Sequence, residues 1–160
     1  MIMITYPLQS LKQIRKKRLD DAQNREICAK KILEQTVCEL ESKQKELEDY
    51  RQYRFEETSR RYDSLLGKIK KQKEIHEFNA GIASLAAKEL ELQESITKLE
   101  ATVEDSKKEY EKSKSECIKA RKALGKIEKH EEVWTLFEKR KEEISEEKEL
   151  EDFKTRNIEY

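Results

Sequence analysis

Apolar residues recur at alternating intervals of three and four residues from Ile75 to Trp134. One column of this pattern contains Phe78, Leu85, Leu92, Leu99, Ser106, Ser113, Ala120, Ile127 and Trp134, and the other contains Ile75, Ile82, Glu89, Ile96, Val103, Tyr110, Cys117, Leu124 and Glu131. The residues between them are mainly Lys, Glu, Ser and Ala. An apolar repeat sustained over this length predicts a helix that packs along its length on another helix.

A second, less regular seam precedes this one and predicts a first helix that begins near Leu8, just after Pro7. Proline suits the first turn of a helix because that turn has no use for its missing N–H. The seam residues are Leu11, Ile14, Ala22, Ala29, Leu33, Leu40 and Leu47. The two seams together predict an all-α fold, a long antiparallel two-helix coiled-coil hairpin.

The turn between the helices has two candidate positions. Gly67 could cap the first helix, with Ile69 as the apolar residue that follows, whereas Asn79-Ala80-Gly81 is a turn-forming sequence. The heptad phase favours the first, because Ile75 and Ile82 are already in phase with the later seam. Gly81 is then an exposed glycine inside the second helix that costs about 1 kcal/mol.

The earlier turn predicts a single elongated hairpin domain over residues 1–160. Helix 1 spans about 8–66, the turn about 67–71 and helix 2 about 72–150, with an acidic C-terminal overhang. This arrangement places Trp134 beside Ile4 and Tyr6. The later turn remains open at this stage and would instead place a basic cluster opposite an acidic one.

Composition and charge agree with a coiled coil. Charged residues are 44% of the chain and hydrophobic residues 35%, so most side chains must face water. The 35 basic and 35 acidic residues give no general attraction to nucleic acid or to an anionic membrane. The charge is nevertheless uneven, with a basic cluster at Lys12, Arg15, Lys16, Lys17 and Arg18 and an acidic cluster from Glu142 to Asp152.

Patterns for catalysis or metal binding are missing from the sequence. His76 and His130 lack a second His or Cys at metal-binding spacing, and the three cysteines include no CxxC pair. Acidic pairs such as Glu56-Glu57 are expected to be solvated on a helix surface. We therefore predict a protein that is not an enzyme and has no cofactor, and the weakly apolar start predicts neither a signal peptide nor a membrane span.

Aromatic residues and arginines concentrate late in helix 1. Tyr50, Tyr53 and Arg54 belong to a group that wraps more than one helix face, which a single seam cannot bury. Tyr and Arg are enriched at interface hot spots. This group is either a docking site for a protein partner or ordinary decoration of a helix.

Short segments in order along the chain resemble a known family, the coiled-coil stalk proteins of bacterial type III secretion export ATPases. These are the YscO-type proteins of injectisomes and their flagellar relative FliJ. The segments are Tyr6-Pro7-Leu8, Ile14 to Asp20 with Ala22, Asp49-Tyr50 with Tyr53-Arg54, Phe78 with Ile82 to Leu85, His130 to Trp134 with Arg140, and Leu150 to Phe153.

The resemblance implies a non-enzymatic stalk or adaptor in the bacterial cytoplasm, peripheral to the secretion apparatus at the inner membrane. It implies binding to a hexameric export ATPase, to the cytoplasmic domain of the export gate and to secretion chaperones that it escorts or recycles. The matching positions for the gate are Phe78, Ile82, Leu85 and Glu89, where Glu89 departs from the basic or amide character of the family. Those for the ATPase are Arg15, Lys16, Arg18, Leu150, Asp152 and Phe153.

Two other functions are consistent with the pattern. A full-length heptad also permits a parallel homodimer that serves as a structural spacer, whereas the hairpin predicts an isolated monomer. A nucleic-acid-binding helical arm would require salt-dependent RNA binding through Lys12 to Arg18. The neutral charge of the whole chain and the missing catalytic domain argue against this arm, so we predict no nucleic acid partner and no membrane insertion.

Overall fold

The fold is all-α, as the heptad pattern predicts. A computed structural model describes residues 5–67 and 70–156 and contains two helices, α1 from Gln9 to Leu65 and α2 from Gln72 to Arg156. No strand occurs among these described residues. The two helices pack against each other as a helical hairpin.

The turn lies between Leu65 and Gln72, so Asn79-Ala80-Gly81 lies inside α2 and does not form it. Gly67 has a φ of 75°, in the left-handed region that glycine adopts without a steric penalty. Glu74 opens α2 by accepting a hydrogen bond from the Lys71 backbone N–H at 3.1 Å. Ile69, which the sequence assigns to this cap, lies outside the described residues.

The chain divides into two compact units. Unit 1 comprises the described parts of Met1–Glu26 and Ser113–Tyr160. Its helical segments are antiparallel, because Lys12 pairs with Glu131 whereas Arg25 pairs with Glu116. Ala22, Cys117 and Ile127 are buried between them.

Unit 2 comprises Ile27–Lys112. Leu47, Leu92 and Ile96 form a buried cluster against which Leu40 and Tyr50 pack. Leu92 and Ile96 are predicted seam residues, so the 3.5-residue repeat identifies the face of α2 that α1 covers here.

Gly81 differs from its prediction as an exposed glycine. It is half-buried, and the Arg61 guanidinium occupies the space into which a Cβ at residue 81 would project. The missing side chain therefore allows close approach of an α1 side chain to the α2 backbone.

No helix in the described part of the chain is sufficiently long and apolar to span a lipid bilayer.

Candidate protein-docking sites

The four positions matched to the export gate lie on the part of α2 that packs near the turn. Leu85 is buried, and Phe78 and Ile82 are half-buried. Phe78 also contacts Tyr62 of α1 edge-on, with ring centres 5.0 Å apart. These side chains therefore contribute to packing within unit 2, and only Phe78 and Ile82 retain a partly accessible surface.

Glu89 joins α2 to two arginines of α1. Its Oε1 accepts a hydrogen bond of 2.9 Å from Arg51 Nε. Its Oε2 lies 2.6 Å from Arg54 Nη1. The two atoms form an ion pair without the geometry of a hydrogen bond. The Glu89 side chain is only 13% exposed, so this pairing offsets the desolvation of a largely buried carboxylate.

Tyr50 and Tyr53 have different environments although their rings are 5.9 Å apart. The Tyr50 hydroxyl donates a 3.0 Å hydrogen bond to the Leu85 carbonyl, and Lys88 Nζ lies 5.3 Å from the centre of its ring. Burial raises the pKa of the Tyr50 phenol. Tyr53 is 51% exposed. Of the predicted group, Tyr50 and Arg54 hold the helices together and Tyr53 remains accessible.

Four exposed residues lie near the turn. Phe55 and Tyr62 belong to the aromatic and arginine group late in helix 1, whereas Leu66 and Ile75 were not predicted as site residues from the sequence. Phe55 and Leu66 are each 74% exposed, and Tyr62 and Ile75 are 52% and 46% exposed. Phe55, Tyr62 and Leu66, which directly follows α1, are spaced so that they lie on one helical face. We call Phe55, Tyr62, Leu66, Ile75 and Phe78 the turn patch. Phe55 and Leu66 are large apolar residues outside the predicted seams, and this was the signal that could have identified the patch.

Glu57 is buried, contrary to its prediction as a solvated acid. Hydrogen bonds from Arg60, at 3.0 Å, and from Arg61, at 2.7 Å, lower the pKa of the Glu57 carboxyl. Because Arg61 also lies over Gly81, this cluster connects an acidic residue of α1 to the surface of α2.

The basic cluster in unit 1 is only partly accessible. Lys12 pairs with Glu131 at 2.5 Å, and this hydrogen bond raises the pKa of the Lys12 ammonium group. Arg15 is half-buried and donates a 2.6 Å hydrogen bond to the Ala123 carbonyl. Lys16, Lys17 and Arg18 are exposed. Arg15 therefore has a structural contact, and Lys16, Lys17 and Arg18 supply the accessible positive charge.

Tyr6 lies beside Trp134, as the early turn predicts. Their ring centres are 5.4 Å apart, and the Tyr6 hydroxyl shares a 2.7 Å hydrogen bond with His130 Nδ1. Tyr6 is 6% exposed. Ile4, the other predicted neighbour, lies outside the described residues.

The apolar face of α2 changes beyond Trp134. Seam positions are then occupied by Glu138, Lys141, Ser145 and Lys148, while exposed apolar side chains occur outside the seam at Val133, Leu136, Phe137, Ile144, Leu150 and Phe153. Every described side chain from residue 141 to residue 154 is exposed. We call residues 133–153 the α2 overhang. Its altered phase means that it does not continue the seam with α1.

The residues matched to the ATPase do not form one patch. Glu131 of α2 contacts Lys12, so it lies beside the basic cluster. At the rise of about 1.5 Å per residue of an α-helix, Leu150 lies about 28 Å farther along α2 than Glu131. Leu150, Asp152 and Phe153 are exposed, so the basic cluster and the end of the overhang are separate surfaces of unit 1.

The comparisons with known proteins establish the family. The family model for the type III secretion protein YscO matches residues 8–156. The chain belongs to the YscO family. The matched range contains α1, α2 and the turn between them, so the family pattern extends through both described surfaces, the turn patch and the α2 overhang.

Solved structures agree with this YscO assignment. A Chlamydia trachomatis protein described as a YscO homolog, CT670, is 26% identical, with a TM-score of 0.76 and coverage of 94% of this chain and 93% of that chain. YscO from Vibrio parahaemolyticus, at 24% identity, has a TM-score of 0.82 with coverage of 91% and 92%, and it supports the fold. No curated protein sequence matches this chain.

Within the described residues of this YscO-family chain, no group of three or more His, Cys, Asp or Glu side chains could hold a metal ion. The accessible features are instead apolar and charged surfaces on helices. Such surfaces can bind other proteins through packing and charge complementarity.

Proposed function

We propose that this YscO-family protein is a non-enzymatic stalk or adaptor of a type III secretion system. It binds the hexameric export ATPase and the cytoplasmic domain of the export gate, and it escorts or recycles secretion chaperones. It acts in the bacterial cytoplasm, at the secretion apparatus of the inner membrane. The observation that carries the proposal is the pair of exposed apolar surfaces, the turn patch and the α2 overhang, on a family member whose two helices already pack together.

The ATPase contact is assigned to unit 1. The α2 overhang exposes Val133, Leu136 and Phe137 to 66%, 68% and 58%, and a run of glutamates covers much of the remaining helix surface. An amphipathic helix of this kind fits an apolar groove with a basic rim. Lys16 and Arg18 provide a separate contact with acidic groups of the ATPase.

Substitution of two apolar residues of the overhang tests this contact. Phe137→Ala combined with Ile144→Ala should weaken binding to the purified hexameric ATPase by about 10- to 100-fold, because each truncation removes apolar contact area. The matched control is Ile118→Ala, which removes a 44% exposed side chain from α2 of the same unit. Equal affinity of the double variant and the control would exclude the overhang as the ATPase contact.

The export-gate contact is assigned to the turn patch, together with the accessible edge of Ile82. Aromatic and large aliphatic side chains on neighbouring helices offer the anchors that interface hot spots require. Leu85 and Glu89 contribute to the packing of α1 and α2 beside this surface. Leu85 is buried, and Glu89 pairs with Arg51 and Arg54. Tyr53, on α1 of the same unit, is available for a chaperone.

The gate proposal is tested with the isolated cytoplasmic domain of the export gate. Phe55→Ala combined with Leu66→Ala should reduce its binding by at least about tenfold, because both side chains are open to a partner. Leu90→Ala is the control, since Leu90 is a 56% exposed residue of unit 2 outside the patch. If the Leu90 variant loses binding and the double variant does not, the gate contacts another face.

A further inference from the structure

Among residues 5–8, the described residues before α1, one side chain is buried. Tyr6 is 6% exposed, whereas Thr5, Pro7 and Leu8 are exposed. The Tyr6 ring lies against Trp134 and His130, with ring centres 5.4 Å and 5.8 Å away, and its hydroxyl shares a hydrogen bond with His130 Nδ1. Tyr6 is therefore the side chain of these four that is buried against α2.

The beginning of α1 is secured independently of Tyr6. Lys12 forms an ion pair with Glu131, and Arg15 donates a hydrogen bond to the Ala123 carbonyl. The backbone contact between Tyr6 and α1 is a turn in which Gln9 N–H donates to the Tyr6 carbonyl at 3.1 Å. Leu8 stays with α1, because its carbonyl accepts a 3.0 Å hydrogen bond from the Lys12 N–H. Residues 5–7 can therefore move away from α2 while Lys12 and Arg15 keep α1 in place.

The surface that Tyr6 covers is continuous with the exposed apolar face of the overhang. Trp134 and Phe137 are three residues apart, so they are neighbours on the surface of α2. Trp134 is half-buried under Tyr6, and Phe137 is 58% exposed. Removal of Tyr6 would extend the exposed face by one large aromatic side chain.

We propose that residues 5–7 form a strap that closes over Trp134 in the isolated chain and opens when a partner binds the overhang. This inference rests on the proposed function in taking the hexameric export ATPase as that partner. A closed strap lowers the apparent affinity by the fraction of molecules in which it is open. The complete docking face, with Trp134 uncovered, is thus exposed only when the partner is bound.

Trp134 reports the position of the strap, because it is the only tryptophan in the chain. Acrylamide quenching of its fluorescence should rise in Tyr6→Ala, where the ring that shields it is missing. Leu8→Ala is the matched control in the same segment and should quench like the wild type. Stern–Volmer plots separate the two states, because open and closed molecules that exchange more slowly than the fluorescence lifetime are quenched as two populations.

The wild-type plot should curve downward, with an accessible and a shielded population of Trp134, whereas Tyr6→Ala should give a straight and steeper plot. A straight wild-type plot of low slope would mean that the strap does not open, and a plot equal to that of Tyr6→Ala would mean that it does not close. Either result overturns the proposal without reference to any partner. Tyr6→Phe, which lacks only the hydroxyl, should lie between wild type and Tyr6→Ala and serves if the alanine variant does not fold.

Binding to the ATPase then tests the coupling. Tyr6→Ala should bind about tenfold more tightly than wild type, whereas Leu8→Ala should bind like wild type. Unchanged or weaker binding by Tyr6→Ala would overturn the strap as a competitor of the partner. If no variant binds, the ATPase assignment fails, and the quenching comparison alone decides whether the strap opens and closes.

Discussion

Glu89 occupies a seam position of α2 at which Ile82 and Ile96 stand in the neighbouring heptads. An apolar residue there would pack against α1, but the carboxylate instead contacts Arg51 and Arg54. A single polar residue in an apolar seam favours the register in which its partners are available. Glu89 therefore contributes to specificity of packing in unit 2, and its contribution to stability depends on both arginines.

Substitution Glu89→Gln should lower the free energy of unfolding by about 1–2 kcal/mol, because it removes the negative charge that pairs with both arginines. The loss of stability is limited because the two arginines are partly exposed to water. Urea denaturation measures this change. Glu91→Gln, at an exposed position of the same helix, should change stability by less than about 0.5 kcal/mol. An equally small change for Glu89→Gln would contradict a stabilising role of the ion pairs.

The lowered pKa of Glu57, which Arg60 and then Arg61 cause, makes stability depend on pH. A carboxyl whose pKa is lower in the folded state stabilises the protein above its unfolded pKa, and this contribution disappears as pH falls through the folded pKa. Below the ordinary value of 4.5, wild type should therefore lose more stability than Glu57→Gln. Thermal unfolding of both proteins between about pH 6 and pH 3 measures the difference, and parallel curves would contradict it.

At the scale of the helices, the three glycines differ in what the backbone requires of them. Gly67 has a positive φ and open surroundings, Gly125 lies inside α2 with free space where a Cβ would project, and Gly81 lies under Arg61. The same substitution should thus have opposite effects at Gly67 and Gly125. This contrast separates the turn from the helix interior.

Gly67→Ala should destabilise the protein by about 1 kcal/mol, because alanine is strained at positive φ. Gly125→Ala should stabilise it by about 0.5–1 kcal/mol, because alanine has the higher helix propensity and the site has room for a methyl group. Chemical denaturation of both variants gives the two signs. Destabilisation by Gly125→Ala would show that its position in α2 is not an ordinary helical site.

The sequence predicts the helices well because their apolar repeat is long. Leu92, Ile96 and Val103 are buried as the repeat requires. The pairing of Glu89 with α1 could not be obtained from the same repeat, because it depends on the register between two helices. Glu57 was missed for a related reason: an acidic residue on a helix becomes buried only through neighbouring arginines, and the pattern along one helix does not reveal how they are oriented.

The candidate sites were predicted less completely than the fold. Phe78 and Ile82 lie near an accessible surface, but Leu85 is used for packing and Arg15 for a contact with α2. The family resemblance indicates which residues match the binding positions of the family, but it does not indicate whether their side chains are exposed. Exposure follows from packing, since a residue is available to a partner only where the other helix leaves it uncovered.

At the scale of the whole molecule, the choice between a hairpin and a homodimer predicts a mass. Within each unit, seam residues of α2 such as Ile96 and Ile127 are buried by α1 of the same chain. A parallel homodimer would have to bury those residues against a second copy, which requires the contacts between α1 and α2 to be given up. We therefore expect a monomer of 19.1 kDa in light scattering over a dilution series.

The alternative, a parallel homodimer, would give about twice that mass at every dilution if it is stable. Association through the exposed overhang or turn patch would instead appear only at high concentration and should disappear in Phe137→Ala with Ile144→Ala or in Phe55→Ala with Leu66→Ala. A concentration-independent dimer that survives both double variants would require the seams to be shared between chains. It would also remove the intrachain contacts, including that between Tyr6 and Trp134, on which the proposed strap depends.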